Sequence, residues 1–170
     1  KTVPLPSWDN TIREEPQPDG KRRIFAAVAG KLFFEGNKLT ISRLHPVKGD
    51  VGPVSGNVRF SGTVQVSGAV LAGYTVFAGG DIVISGAVEA SLVSSDVNVK
   101  IGEGVKGAHR GTIRAKGFIE AAFAEQAVLM AVGDIRIKTA CMLCNVKTNG
   151  RLSIAGDRGA FIGGHVRARK

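Results

Sequence analysis

Residues 58–88 read VRFSGTVQVSGAVLAGYTVFAGGDIVISGAV, and one beat runs through them. Val58, Val64, Val70, Val76, Ile82 and Val88 stand six residues apart. Small, turn-forming pairs lie between them: Ser-Gly at 61–62, 67–68 and 85–86, and Gly-Gly at 79–80. A helix repeats its faces every 3.6 residues and a strand every two, so neither carries a beat of six. A strand of three or four residues plus a corner does carry it. Three such sides close a coil of about 18 residues, the pattern of stacked parallel rungs. The stretch predicts an all-β chain, a single-stranded parallel β-helix (solenoid) of three-sided coils of about 17–18 residues.

Later segments keep the pattern with slips. Gly-Asp-Ile-Val-Ile at 80–84 returns as Gly-Asp-Ile-Arg-Ile at 133–137. Val64, Ile82, Ile119, Ile135 and Leu152 read as one column, with a further rung at 97–99. A second column reads Val76, Val93, Ile113, Val128 or Met130, Val146 and Val166. After Val88 the beat moves to Val93, Val99 and Val105, then Ile113 and Ile119, and resumes at Ile154, Ala160 and Val166. Residues 103–111, with three glycines, predict a bulged corner. Residues 118–130 are rich in helix-favouring Ala, Glu and Gln, but the flanking rungs predict continued strand there. Inward register places Ile82 inside and Val83 outside.

The chain divides into three expected parts. Residues 1–20 hold four of the six prolines and read as a linker or strap, with Trp8 pinning it to the body. Residues 21–47 read as a small β-hairpin unit capping the solenoid, with Glu35-Gly36-Asn37 as its turn. Residues 48–170 read as the β-helix. The chain starts at Lys1 rather than Met, which fits a fragment or a processed product.

The net charge of +9 splits into +3 over residues 1–55, +2 over 56–150 and +4 over 151–170. The clusters are Lys21-Arg22-Arg23 and Arg167, Arg169 and Lys170. Trp8, Phe33 and Phe34 do not alternate with them, so specific nucleic-acid binding is not expected. No run of 18 apolar residues predicts a spanning helix. Two cysteines make no disulfide framework, and a reducing cytoplasm is the default.

No catalytic, cofactor-binding or metal-ligating residue, and no cofactor, is expected. Cys141 and Cys144 have the spacing of a metal or redox pair, but structural zinc takes four ligands and no second pair is present. Cys141 falls six residues after Ile135, an inward slot, and reads as packing. His45, His109 and His165 are far apart and read as unconnected. Asp81, Asp96 and Asp134 recur at rung starts, where such side chains bond local backbone. A hexapeptide acyltransferase would use a histidine base, but its repeats prefer a small residue after each aliphatic one. This chain has Arg59, Gln65, Leu71, Phe77, Val83 and Glu89 there.

Several motifs in order carry a family resemblance: Lys-Gly-Asp-Val at 48–51, Ser-Gly-Asn-Val-Arg-Phe-Ser-Gly at 55–62, Ala-Gly-Gly-Asp-Ile-Val-Ile at 78–84, Cys-Asn-Val at 144–146 and Gly-Ala-Phe-Ile-Gly-Gly-His-Val-Arg-Ala at 159–168. They resemble the bacterial flagellar assembly protein A family, from about Pro16 onward and including residues 29–36. More distantly the chain resembles the MinC C-terminal domain and the bactofilins. The resemblance implies a right-handed coil and a cytoplasmic, non-enzymatic protein, at the cell pole or elsewhere. It also implies protein partners in the flagellar machinery, with self-association through solenoid ends. The expected function is a scaffold presenting β-helix faces and ends. A self-polymerising cytoskeletal subunit and a β-helical acyltransferase are the alternatives. Residues 153–166 and the 103–111 corner are the expected contact regions.

Overall fold

The computed structural model describes residues 6–156 and 159–169, and among them there is no helix. The chain groups into two compact units, Lys1–His45 and Pro46–Lys170.

In the first unit, β1 (Ser7–Trp8), β2 (Ile12–Pro16), β3 (Arg22–Ala26), β4 (Lys31–Glu35) and β5 (Lys38–Ser42) follow in order. β4 and β5 form the hairpin expected at Glu35-Gly36-Asn37, with Glu35 opposite Lys38. The proline-bearing segment that reads as a strap supplies β1, parallel to β5, and β2, antiparallel to β3. Trp8 lies opposite Leu39. Asp9 ties this unit together, accepting from the Thr11 N–H at 3.0 Å, the Thr40 hydroxyl at 2.5 Å and the Thr11 hydroxyl. The Thr11 and Thr40 bonds hold its carboxyl at a pKa of about 2.

The second unit is the predicted solenoid, about seven parallel rungs deep. Its three faces follow from the beat of six. Face A stacks β6 (Leu44–Val47), β8 (Thr63–Val66), β10 (Ile82–Ile84), β13 (Val99–Ile101), the starts of β15 (Ile119–Ala131) and β16 (Ile135–Thr148), and β17 (Leu152–Ile154). Face B takes Val51, Val70, β11 (Val88–Glu89), the start of β14 (Gly104–Ala115), the middles of β15 and β16, and the start of β18 (Ala160–Arg167). Face C stacks β7 (Val58–Phe60), β9 (Thr75–Ala78), β12 (Leu92–Ser95) and the ends of β14, β15, β16 and β18. Residues 118–130 are strand, as the flanking rungs predict.

One hydrogen-bond ladder repeats at the same place in successive rungs of face A. The N–H groups of Val64, Ile82, Val99, Ile119 and Ile135 donate to the oxygens of Asp81, Asn98, Phe118, Asp134 and Arg151 at 2.9–3.0 Å. Every rung thereby satisfies backbone groups of its neighbour, which a buried strand requires. Inside, Val64, Ile82, Val99, Ile119 and Ile135 form the face A column, each with no exposed surface. Burying each such side chain contributes about 1.5–3 kcal/mol. The buried hydroxyls of Ser95 and Thr148 donate to the corner carbonyls of Gly80 and Gly133.

Two columns shift from the sequence reading. On face C the slot between Ile113 and Val146 belongs to Leu129, buried between the half-buried Val128 and Met130. In the last rung Phe161, and not Ala160, stacks on Cys141. The 103–111 bulge is present: pairing of β14 with β15 jumps from Lys106–Glu125 to Gly111–Ala127. Asp81, Asp96 and Asp134 also differ from their local assignment. Asp134 accepts the Arg151 N–H of the next rung at 3.0 Å, and Asp81 accepts from the Asn98 amide at 2.9 Å. Asp96 meets Lys116 at 2.8 Å. Corner side chains therefore tie rung to rung.

The corner from face B to face C turns through positive φ in successive rungs: Gly73, Ala90, Ala108 and His109, Gln126, Leu143 and Gly163. For a residue with a Cβ this conformation costs roughly 1–2 kcal/mol. Ala90, at φ 36°, has no longer side chain to lose. Ala90→Gly should therefore raise stability by about 0.5–1 kcal/mol, the relieved strain exceeding the entropy added to the unfolded chain. A urea midpoint that falls instead would show that the corner is unstrained.

Candidate interaction face

The charges that matter sit on the outside of face C. Alternation along its strands turns Arg59, Phe77, Ser94, Arg114, Met130, Lys147 and Arg167 outward in one column, one per rung. Arg59, Arg114, Lys147 and Arg167 in this column are exposed, as are Lys116 and Arg169 at the corner beyond.

Three depressions lie along this face and share lining residues. The first, about 600 Å³, includes Arg59, Phe77, Gly79, Ser94 and Asp96. The second, about 450 Å³, shares Ser94 and Asp96 and adds Arg114, Lys116, Met130, Val132 and Lys147. The third, about 230 Å³, shares Lys147 and Asn149 and adds Arg167 and Arg169. They join into one trough parallel to the solenoid axis. Rungs are about 4.8 Å apart, so the seven rungs from Arg59 to Arg167 span roughly 29 Å. Asp96 is the one carboxylate among the described lining residues, against six cations.

The other faces differ. Face A mixes signs, pairing Lys138 with Glu120 at 3.7 Å and Arg136 with Asp134 at 3.6 Å. Face B and its leading corner carry Glu89, Glu103 and Glu125 against Lys106. Arg59 lies over the Phe77 ring at 5.6 Å, which holds the guanidinium at the trough's edge.

The sequence reading missed this face. It named Arg167 and Arg169 as part of a terminal cluster, whereas the coil joins them to the cations at positions 59, 114, 116 and 147. The signal lies in the outward face C positions, four of which in seven coils carry a cation. It emerges only after the coils are aligned.

The other singled-out residues fall elsewhere. Cys141 points inward on face B and Cys144 inward on face C, both buried. A hydrogen bond from Cys141 lowers the Cys144 pKa against the effect of burial, and the same bond raises Cys141. Cys144 also lies 3.3 Å from the Met142 carbonyl. Cys141→Ala should cost about 1–2 kcal/mol by removing buried contacts, read from a thermal melt. Stoichiometric zinc in the purified protein would contradict the packing role.

His109 sits on the exposed bulge, His165 outside face C in the last rung, and His45 at the first. Burial lowers the His45 pKa, with the Lys31 charge adding to it. Rungs three apart lie about 14 Å apart, too far for a shared site. Among the described residues no three His, Cys, Asp or Glu side chains gather as a metal site. The 103–111 bulge is exposed at Ala108, His109 and Arg110. The last rung exposes Phe161, Ile162 and Val166. Lys21, Arg22 and Arg23 belong to the first unit, where Arg22 meets Glu14 at 3.2 Å. Lys170 lies outside the described residues. Among the described residues no helix is long and apolar enough to cross a membrane.

Comparison with known proteins bears on the second unit. Residues 43–170 match the family model described as the Flagellar Assembly Protein A beta solenoid domain. No curated protein and no solved structure matches the chain.

Proposed function

The chain belongs to the Flagellar Assembly Protein A family through its β-solenoid domain, and from that premise we propose that it is a non-enzymatic scaffold whose face C docks an anionic protein partner of the flagellar assembly machinery. The observation that carries the reading is the separation of charge. Six cations line one trough, while neighbouring faces are mixed or acidic. A rigid stack of rungs keeps such a pattern in place without a partner present, so little ordering entropy is lost on docking. The long-range field of one cationic face also steers encounter with an acidic surface.

The trough is open, and no histidine lines its three depressions. That speaks for display over acyl transfer, which needs a positioned base. A cytoplasmic place, at the cell pole or elsewhere, follows from the same reading.

The test is a double charge reversal, Arg114→Glu with Lys147→Glu, in the full-length protein of a flagellated cell. Both side chains are exposed, so the fold should persist. Flagella per cell, counted by electron microscopy at matched protein level, should fall with this variant. They should not fall with Lys100→Glu and Arg136→Glu on face A. Normal flagellation with the face C variant would remove the docking role from this face.

Exposure of Phe161, Ile162 and Val166 favours a second reading, end-to-end self-assembly through the last rung. Light scattering that grows with concentration, and that Ile162→Glu abolishes, would support it.

A further inference from the structure

We infer that the face C trough takes an extended, acidic polypeptide segment of about eight or nine residues with an apolar side chain near its middle. The inference rests on the docking reading above and specifies its ligand.

Length comes first. A trough of roughly 29 Å holds about eight or nine residues of extended chain at about 3.4 Å each. A helix of that many residues would cover less than half of it.

Charge and polarity are distributed along the trough. Arg59 stands at one end, Arg167 and Arg169 at the other. Arg114, Lys116 and Lys147 flank the middle. Between them the wall is apolar at the half-buried Met130 and at Val132, which is 56% exposed. Cations along the whole length with an apolar patch at the centre fit a segment whose acids surround one apolar residue. Arginine's planar fork matches a carboxylate, and four of the six cations are arginines.

The trough already holds one carboxylate. Asp96 lies where the first two depressions meet and engages Lys116 at 2.8 Å. The chain thus displays the contact that an incoming acidic side chain would make.

Two other polyanions fit less well. Sequence-tolerant binding of single-stranded nucleic acid stacks successive bases on aromatic rings. Phe60 and Phe77 both lie at the Arg59 end, Arg59 covers Phe77, and no aromatic lines the second or third depression. A bilayer surface is flat, whereas these cations line a concave trough.

The test uses the 170-residue chain and fluorescence anisotropy. The probe is a fluorescein-labelled nonapeptide, Asp-Glu-Asp-Glu-Leu-Glu-Asp-Glu-Asp. Its partners are a variant with Ser for the central Leu, a nine-nucleotide oligothymidylate and phosphatidylglycerol vesicles. We expect the leucine peptide to bind, and the serine peptide to bind about threefold more weakly. Arg114→Glu with Lys147→Glu should weaken binding by about tenfold or more, whereas Lys100→Glu with Arg136→Glu should leave it within about twofold. Added salt should weaken binding steadily.

Equal loss in both double variants would overturn the inference, as would tighter binding of oligothymidylate or vesicles than of the peptide. A wild-type chain that ignores the peptide up to about 1 mM also overturns it. If the face C reversal still abolishes flagellation in that case, the docking reading stands and the extended acidic segment does not.

Discussion

Ile82→Asp should abolish the cooperative folding of the solenoid's central rungs, while Val83→Asp one residue later should be tolerated. Ile82 has no exposed surface and stacks between Val64 and Val99, which are equally buried. The core cluster around it holds only apolar residues and two thiols. A carboxylate there loses the apolar transfer of isoleucine, about 1.5–3 kcal/mol. It also stays buried without a cation, at a further cost of several kcal/mol even when protonated. The sum is comparable with the whole stability of a domain, about 5–15 kcal/mol. Each rung contacts only its neighbours, so the damage centres on the rungs of Val64, Ile82 and Val99. Val83 faces outward between Gln65 and Lys100. An aspartate there stays hydrated and gains the Lys100 charge, so its cost should remain within about 1 kcal/mol. Urea unfolding followed by circular dichroism, with hydrogen exchange at the Val64 and Val99 amides, separates the two. Equal tolerance of both substitutions would refute the register.

The register was legible because coil and beat agree in residues 58–88. Val58, Val64, Val70, Val76, Ile82 and Val88 fall in turn on faces C, A, B, C, A and B. Each coil there spans 18 residues, so equivalent inward positions fall in step. Farther along, the reading needed information that sequence does not hold. Between Ile113 and Leu129 the coil shortens to 16 residues, and Val128-Leu129-Met130 is a run of three apolar side chains. With no polar neighbour to mark the outside, alternation cannot single out Leu129. Only pairing with Ile113 and Val146 does. Phe161 takes the slot expected for Ala160 for the same reason, since Ala160-Phe161-Ile162 is again a run of three apolar side chains.

The candidate site was hidden for a different reason. A site built on one strand or one helix shows its residues at a short, fixed spacing. The face C trough takes its cations from separate coils, so Arg59, the pair Arg114 and Lys116, Lys147, and the pair Arg167 and Arg169 each lie a coil or more from the next group in sequence. Arg59 and Arg114 are 55 positions apart and meet one wall only because the coils between them close. Summing charge over segments averages this away. The family resemblance reached the fold and the flagellar association but brought no residue roles. The trough is therefore a property of this chain's own surface, open to test on its own.

Gly133→Val should be strongly destabilising. The corner from face C to face A stacks backbone on backbone. A Cβ added at Gly133 would lie 2.8 Å from the Gly117 oxygen and 2.9 Å from its carbonyl carbon. Those atoms belong to the rung that the Gly133 N–H already bonds at 2.8 Å. Gly150 repeats the contact on the next rung, where a Cβ would meet the Gly133 carbonyl carbon at 2.8 Å. No flexible side chain can move aside, so the rungs must part and lose hydrogen bonds of the ladder. Overpacking a yielding core costs about 1–3 kcal/mol, and a backbone neighbour yields less. We expect about 3 kcal/mol or more for valine and about 2 kcal/mol for alanine. Gly73 is the contrasting case. Its φ of +84° favours glycine by conformation, yet a Cβ there meets nothing within 4 Å. Gly73→Ala should therefore cost only the strain of a left-handed residue, about 1–2 kcal/mol. The Gly133 corner also borders the trough through Val132, so parting the rungs separates Lys116 from Lys147. Gly133→Ala should accordingly weaken acidic-peptide binding at temperatures where the chain is still folded, and Gly73→Ala should not. If both glycine variants bind the peptide like the wild type while Gly133→Ala is destabilised, rung spacing supports the fold without setting the geometry of face C.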